Sequence, residues 1–234
     1  METRIIAVRV QKIIMSGSSH MIGGIRYNEI NDPNPNPEDV DSLRFAKPLF
    51  YNISQYPTVN EIVYVLAGPR DDYNSVGGIS SYYLPPININ GSVNHNAQPS
   101  EFNEEELEAN SETGFGKGYF QEIENVRPLL PYEGDIILEG RYGQSLRFGS
   151  TIKGSHHPNK WSNEGEVGNP ITIIRNGQSD KLKPPFNAAA YKHILEDVNG
   201  DDSSIYLCSN QQITNFQKAG VSPKDHPISY KHML

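Results

Sequence analysis

Short runs of alternating apolar residues recur along this chain, each closed by glycine, proline or asparagine at intervals of about ten residues. Successive side chains on a strand point to opposite faces, so such runs suit half-buried strands, and turn residues between them suit antiparallel connections. This repetition restricts the chain to an all-β fold, as barrels or a sandwich.

The first run, "RIIAVRVQKIIM" at residues 4–15, alternates Ile6, Val8 and Val10 with Ala7, Arg9 and Gln11. "SGSSH" turns the chain, and "IGGIRYNEI" reads as a second strand, with Gly23-Gly24 as a turn or bulge. Residues 31–41, "NDPNPNPEDVD", hold three prolines, which cannot pair inside a sheet, so an exposed loop is expected. "SLRFAKPLFYNIS" is extended and leads to "YPTVNEIVYVLAGP" at residues 56–69, a strand stopped by Gly-Pro. "RDDYNSVGG" reads as a loop, and "ISSYYLPPININGSV" as a strand with a Pro-Pro end.

An acidic flexible linker is expected at residues 100–118, within the polar stretch 94–118. It separates a barrel at residues 1–99 from a second β-rich domain with hairpins at 119–234. In that second half, "GDIILEGRY" and "SLRFGST" are expected to be joined by a tight turn at Gly143-Gln144. The polar loop "KGSHHPNKWSNEGEVGN" precedes "PITIIRNGQ", where Asn176-Gly177 is a two-residue turn signal. "KHILEDV" and "SSIYLCS" flank "NGDD" as another predicted hairpin, although "NAAAYKHILE" also has helix propensity. Residues 213–234 show no clear period.

"YPTVNEIVYVLAGP" and "PYEGDIILEGRYGQ" (131–144) share a shape: each runs from a proline past an acid into a β-branched strand and leaves by a glycine. The same wall-building role is expected of both.

The chain has 234 residues, enough for one large β domain or two small ones. Its apolar share is 36% and its charged share only 21%, so its polarity comes from uncharged residues, and wholesale disorder is not expected. The net charge is -8, and no run of Lys and Arg exceeds two residues. Such a chain repels phosphate backbones, so no nucleic-acid partner is expected. No stretch approaches the ~20 apolar residues of a membrane helix, so no membrane segment is expected. The start, "METRIIAVRV", is too polar and too short for a signal peptide. The single cysteine, Cys208, has no partner for an internal disulfide; it is expected to be a small core residue, in a protein made in a reducing compartment.

The residues do not assemble a catalytic set: no catalytic, cofactor-binding or metal residue is assigned, and no cofactor is expected. His156 and His157 are adjacent, and neighbours on a strand face opposite ways, so solvated loop histidines are favoured over joint ligation; His20, His95, His193, His226 and His232 are scattered. Asp197, Asn199 and Asp201 echo the start of a calcium loop, but glycine falls at the fourth position and Cys208 stands where the bidentate Glu belongs, which favours a turn. "GFGKG" (114–118) lacks the Ser or Thr of a phosphate loop after Lys117. There is no G-x-S-x-G elbow and no G-x-G-x-x-G after a strand. Tyrosine, at 13 residues against 8 Phe and 1 Trp, suits subunit interfaces or carbohydrate, besides ordinary strands.

The succession "AVRVQKIIM", "GGIRYNEI", "SLRFAKPLFYN", "YPTVNEIVYVLAGP", "SYYLPPININGSVNHNAQP" and then a linker resembles the OB-fold domain of the central hub and spike proteins of contractile tails. That family includes the T-even phage tail-spike protein and the spike proteins of type VI secretion. The resemblance covers about the first 100 residues. In the second half, "EGDIILEGRYGQSLRFGST", "PITIIRNGQ" and "LEDVNGDDSSIYLCSNQQI" resemble baseplate proteins of T-even-like phages. The spike's lysozyme domain and long needle have no counterpart, so architecture and location carry over and no catalytic residue does.

The resemblance implies a non-enzymatic structural component of a bacteriophage contractile-tail baseplate, a hub or spike OB-fold protein mediating tail assembly and spike attachment. It would be made in the host cytoplasm and reside in the virion. Its expected partners are other tail baseplate and hub proteins and two further copies of itself, as a homotrimer. Two alternatives stand beside it. One is a tail-associated peptidoglycan hydrolase using Asp135 or Glu139, or a metal on His156 and His157. The other is a carbohydrate- or receptor-binding module using Tyr82, Tyr83 and Trp161.

Overall fold

The computed structural model describes residues 5–32, 39–50, 52–69, 79–89, 95–99, 122–123, 126–153, 159, 167–178, 193–211 and 213. The chain divides into two compact units, Met1–Gln121 and Glu122–Leu234. Among the described residues the protein is all-β, with one 3-10 turn and no α-helix. No helix there is long and apolar enough to cross a membrane. The linker expected at 100–118, the loop "RDDYNSVGG", the prolines of 31–41 and most of the tail lie outside the described residues.

The first unit contains β1 (Ile5–Ile13), β2 (Ile25–Glu29), β3 (Arg44–Pro48), β4 (Ile62–Pro69) and β5 (Ile79–Pro86), closed in the order β1-β2-β3-β5-β4. All neighbours are antiparallel except β3 and β5. This is an OB-fold-like barrel, which leaves no open sheet edge. The predicted alternation of β1 is what the barrel uses: Val8 and Val10 are fully buried, beside Ile25, Tyr27, Ala46, Val63, Val65 and Tyr83. Burial of six to eight such side chains, at about 1.5–3 kcal/mol each, is the main force holding the unit together.

Gly23 has φ +80, and a Cβ on Gly24 would sit 2.2 Å from the Phe45 ring, so this pair forms the predicted turn and admits Phe45 against the backbone. The Tyr83 hydroxyl donates to Gly23 O at 2.7 Å from inside the core. Burial, foremost, pushes that phenol above its ordinary pKa. β4 ends at the Gly-Pro of 68–69, as expected. Gly68 and Pro69 pair with Ser80 and Ile79, and Pro69, at the strand's last position, offers its carbonyl to Tyr82.

The second unit is a four-stranded antiparallel sheet, β6 (Ile136–Glu139), β7 (Ser145–Ser150), β8 (Pro170–Gln178) and β9 (Asp201–Cys208), in sequence order. β6 ends at Glu139, and the predicted hairpin closes through residues 140–144, with Gly143 at φ +87. Three expectations change. Asn176-Gly177 makes no hairpin: β8 runs through it, Gly177 holds φ +84, and a Cβ there would meet Asp202 Oδ2 at 2.4 Å. A left-handed glycine inside a strand bends it without ending it. "KHILEDV" forms no strand of a hairpin and, where described, no helix. Ile194 makes an isolated parallel bridge to Leu129, and β9 pairs with β8 instead. Cys208, expected in the core, is exposed, because it is the last residue of an edge strand.

The lead-ins to β4 and β6 are built alike. In each, the N–H of one residue donates to the carboxylate three positions on: Thr58 to Glu61 at 2.6 Å, and Tyr132 to Asp135 at 3.1 Å. The acid's own N–H donates back to the carbonyl of Thr58 or Tyr132. The residue before each acid has positive φ, 73 at Asn60 and 89 at Gly134, a position that turns reserve for Gly and Asn.

Candidate functional site

The second sheet buries two arginines on one face and exposes several large hydrophobes on the other. Strand register sets two rows on its buried face: Glu139–Ser145–Arg175–Ser204 and Ile137–Arg147–Ile173–Tyr206. The opposite face carries Ile136–Phe148–Thr172–Leu207 and Leu138–Leu146–Ile174–Ile205. Arg147 is 0% exposed and Arg175 2%, whereas Ile136 is 61% exposed, Leu138 60% and Leu207 59%.

Burying a guanidinium is expensive unless its donors are met. Arg147 meets all three directions. Its Nε donates to Glu196 at 2.7 Å, its Nη1 to Asp135 Oδ2, and its Nη2 to Leu130 O at 3.0 Å. Burial opposes its charge, and the Glu196 and Asp135 carboxylates outweigh burial, so its pKa lies above the ordinary arginine value. Arg175 is less well held. Its Nη1 lies 3.8 Å from Asp201 Oδ1, beyond hydrogen-bond reach. Its Nε and Nη1 make no hydrogen bond within the described residues, and neither do the hydroxyls of Ser145 and Ser204, its register neighbours. Asp201 is 3% exposed. Burial, with smaller contributions from Glu196 and Asp197, pushes its pKa up to about 7 against the pull of Arg175.

Side chain-to-backbone bonds tie the irregular segments to this sheet. Gln178 both accepts from Arg127 N (3.0 Å) and donates to Arg127 O (2.8 Å). Glu139 accepts from Leu129 N at 2.8 Å, and Gln211 donates to Asn169 O at 2.8 Å. Among the described residues its apolar cluster is Ile171 and Ile173, flanked by Tyr132, Leu195, Tyr206 and Ile213, with Val126, Leu129 and Val198 also buried. The buried ion pairs share the packing of this unit with these side chains.

The residues weighed for other chemistry have structural occupations. Asp135 and Glu139, the acids of the hydrolase alternative, bind Arg147 and the Leu129 N–H. Tyr83 is buried and Tyr82 donates to Pro69 O at 2.6 Å, while Trp161, His156 and His157 lie outside the described residues. Asp197, Asn199 and Asp201 make the favoured turn: Gly200 N and Asp201 N donate to Asp197 O, and Asp197 N donates to Asp201 Oδ2 at 2.9 Å. Among the described residues no group of three or more His, Cys, Asp or Glu could hold a metal.

On the barrel, a cleft of about 430 Å³ is lined by Tyr27, Glu29, Asp32 and Arg44, among others. Arg44 is spent on Glu29 at 2.6 Å, and Lys12 on Asp41 at 2.8 Å, where the lysine holds the carboxyl below its usual range. Arg26 reaches Leu43 O and lies over the Phe45 ring. These cations do not converge on an anion site.

No family model, curated protein or solved structure matches this chain.

The feature that sequence reasoning missed is the outward apolar face. Its signal was mixed: "SLRFGS" alternates apolar with polar residues, whereas "DIILEG", "ITIIRN" and "SSIYLCS" hold adjacent apolar residues that fall on opposite faces.

Proposed function

We propose that this protein is a structural component of a bacteriophage contractile-tail baseplate, a hub or spike OB-fold protein that takes part in tail assembly and spike attachment. The observation that carries an assembly role is the outward face of the second sheet. Six large apolar side chains lie there between 41% and 61% exposed, on adjacent strands and without an ionisable neighbour in their rows. Isolated exposed hydrophobes are ordinary, but a contiguous set of this size marks a contact surface. The OB-fold-like barrel of the first unit agrees with the resemblance in strand order noted for the first hundred or so residues.

The contractile-tail setting rests on that resemblance. A closed barrel and an ion-locked sheet are stiff modules suited to a particle under mechanical load. Other baseplate and hub proteins are the partners in this reading, with the virion as the site of action.

The test is location. Antibody labelling of purified tailed particles, followed by a map of the native baseplate, is expected to place the chain at the tail tip near the axis. Particles that lack the chain, or a chain found only free in the host, would overturn the proposal. Zymography on purified cell walls is expected to show no clearing.

A further inference from the structure

We infer that the buried face of the β6–β9 sheet carries an internal water site, in which ordered water bridges the Arg175 guanidinium to the Asp201 carboxyl group and to the hydroxyls of Ser145 and Ser204. The site lies within one unit of one chain and needs no partner, so it goes beyond the assembly reading.

Register brings the ligands together. Ser145 on β7, Arg175 on β8 and Ser204 on β9 are direct cross-strand partners, and their exposures are only 6%, 2% and 7%. Asp201 shares β9 with Ser204, and its Oδ1 lies 3.8 Å from Arg175 Nη1, too far for a direct hydrogen bond. Within the described residues Arg175 Nε and Nη1, Asp201 Oδ1 and both hydroxyls make no hydrogen bond. Neither does Oε2 of the buried Glu196, whose charge also acts on Asp201.

Leaving one such group dry costs about 1–3 kcal/mol, and more where it is charged. Several of them in one buried row would consume most of the ~5–15 kcal/mol by which a folded domain is stable. Arg147 shows the contrast, since protein groups meet all three of its directions. Arg175 has no comparable set, and water completes its shell.

The mixture of donors and acceptors selects the ligand. Arg175 offers donors alone and keeps its charge, while ionised carboxylates offer acceptors alone. An anion here would face Asp201 and Glu196, and a metal cation would face the guanidinium. Water donates and accepts, at about 2.9 Å from each partner, and so suits both sides. It also suits both states of Asp201, whose pKa burial, foremost, pushes up to about 7. Water accepts from the acid and donates to the carboxylate. Protein interiors hold roughly one buried water per 27 residues, each bound by about three polar groups, so a unit running from Glu122 to Leu234 has room in its composition for such a site.

The experiment uses the full chain in solution, with circular dichroism to monitor the fold. Oxygen-17 relaxation dispersion counts long-lived waters, and magnetisation transfer from water to the Arg175 Nε–H locates one of them. The wild type is expected to show long-lived water against that N–H. Arg175→Met keeps an apolar stem and removes the donors; it is expected to lose at least one long-lived water with an unchanged spectrum. Ser204→Ala deletes a single ligand and serves if Arg175→Met fails to fold. It is expected to shorten the residence time several-fold, as loss of one hydrogen bond does. A dry Arg175 N–H in the wild type overturns the inference, as does an unchanged water count and residence time in whichever variant folds. Bromide located at Arg175 by anomalous scattering, in crystals grown with that ion, overturns it in favour of an anion site.

Discussion

In the barrel, Glu61 caps the turn that leads into β4; in the second unit, Asp135 caps the same turn before β6. Beyond the turns the two strands diverge. β4 lies between β1 and β5 and buries Ile62, Val63 and Val65. Among the described residues β6 pairs only with β7, and it turns Ile136 and Leu138 to the outside. Asp135 also accepts from the buried Arg147. The lesson is that a local turn motif fixes how a strand begins, while its neighbours decide which face is inside. Both stretches build a sheet, as expected, but β4 lies within a closed barrel and β6 at a sheet edge.

The largest effect should come from the inner lattice. Glu196→Ala leaves the Nε of the buried Arg147 guanidinium without its acceptor, at a cost of about 3–5 kcal/mol. Hydrogen exchange should then rise in β7 and β8 and stay unchanged in β1 and β4. Equal loss in both units would break the contrast between an ion-held and a hydrophobe-held sheet.

Next, Ile25→Ala in the barrel removes a fully buried side chain and should cost about 2–5 kcal/mol. Ile136→Ala on the second sheet should change the stability of a dissociated chain by less than about 0.5 kcal/mol. Urea unfolding at low protein concentration measures both. A large cost at Ile136 would show that the outward face is already packed within one copy.

A pH effect separates the two halves further. Asp201 titrates at about 7 in the folded protein, against an ordinary 3.8. A raised folded value means that its contribution is fully present below about pH 4 and is lost as pH climbs through about 7. The unfolding midpoint of the second unit should therefore carry a falling component between those values, absent in Asp201→Asn. An identical pH profile for that variant would refute the assignment.

The smallest effect tests the shared turn. Gly134→Ala must hold φ +89 with a Cβ, although that Cβ would meet nothing within 4 Å, so the cost is conformational alone, about 1 kcal/mol. Asn60→Gly should shift stability by only a few tenths of a kcal/mol, because both residues accept that conformation. Thermal melts of the two variants compare them directly.

Much of this was legible in advance. The strand alternation of Val8 and Val10, the Gly23-Gly24 turn, the Pro-Pro end of β5 and the turn at Asp197–Asp201 all follow from local rules. The misread positions share one cause. Asn176-Gly177 suits a hairpin turn or a bent strand equally well, and the choice fell to β9, which pairs across it from Asp201 to Ser203. Cys208 has a core residue's chemistry and an edge strand's place. Of the candidate site, the sequence displayed the eight outward side chains without showing that they faced out.

By itself, then, the sequence determined the all-β class, where strands begin, and which residues share a face, because a period of two and the φ preferences of Gly, Asn and Pro act over a few residues. Tertiary structure alone decided which of those faces is buried. Alternation is symmetric between inside and outside. Which face is covered depends on contacts such as Arg147 with Glu196, 49 positions apart in the chain, that no local pattern specifies.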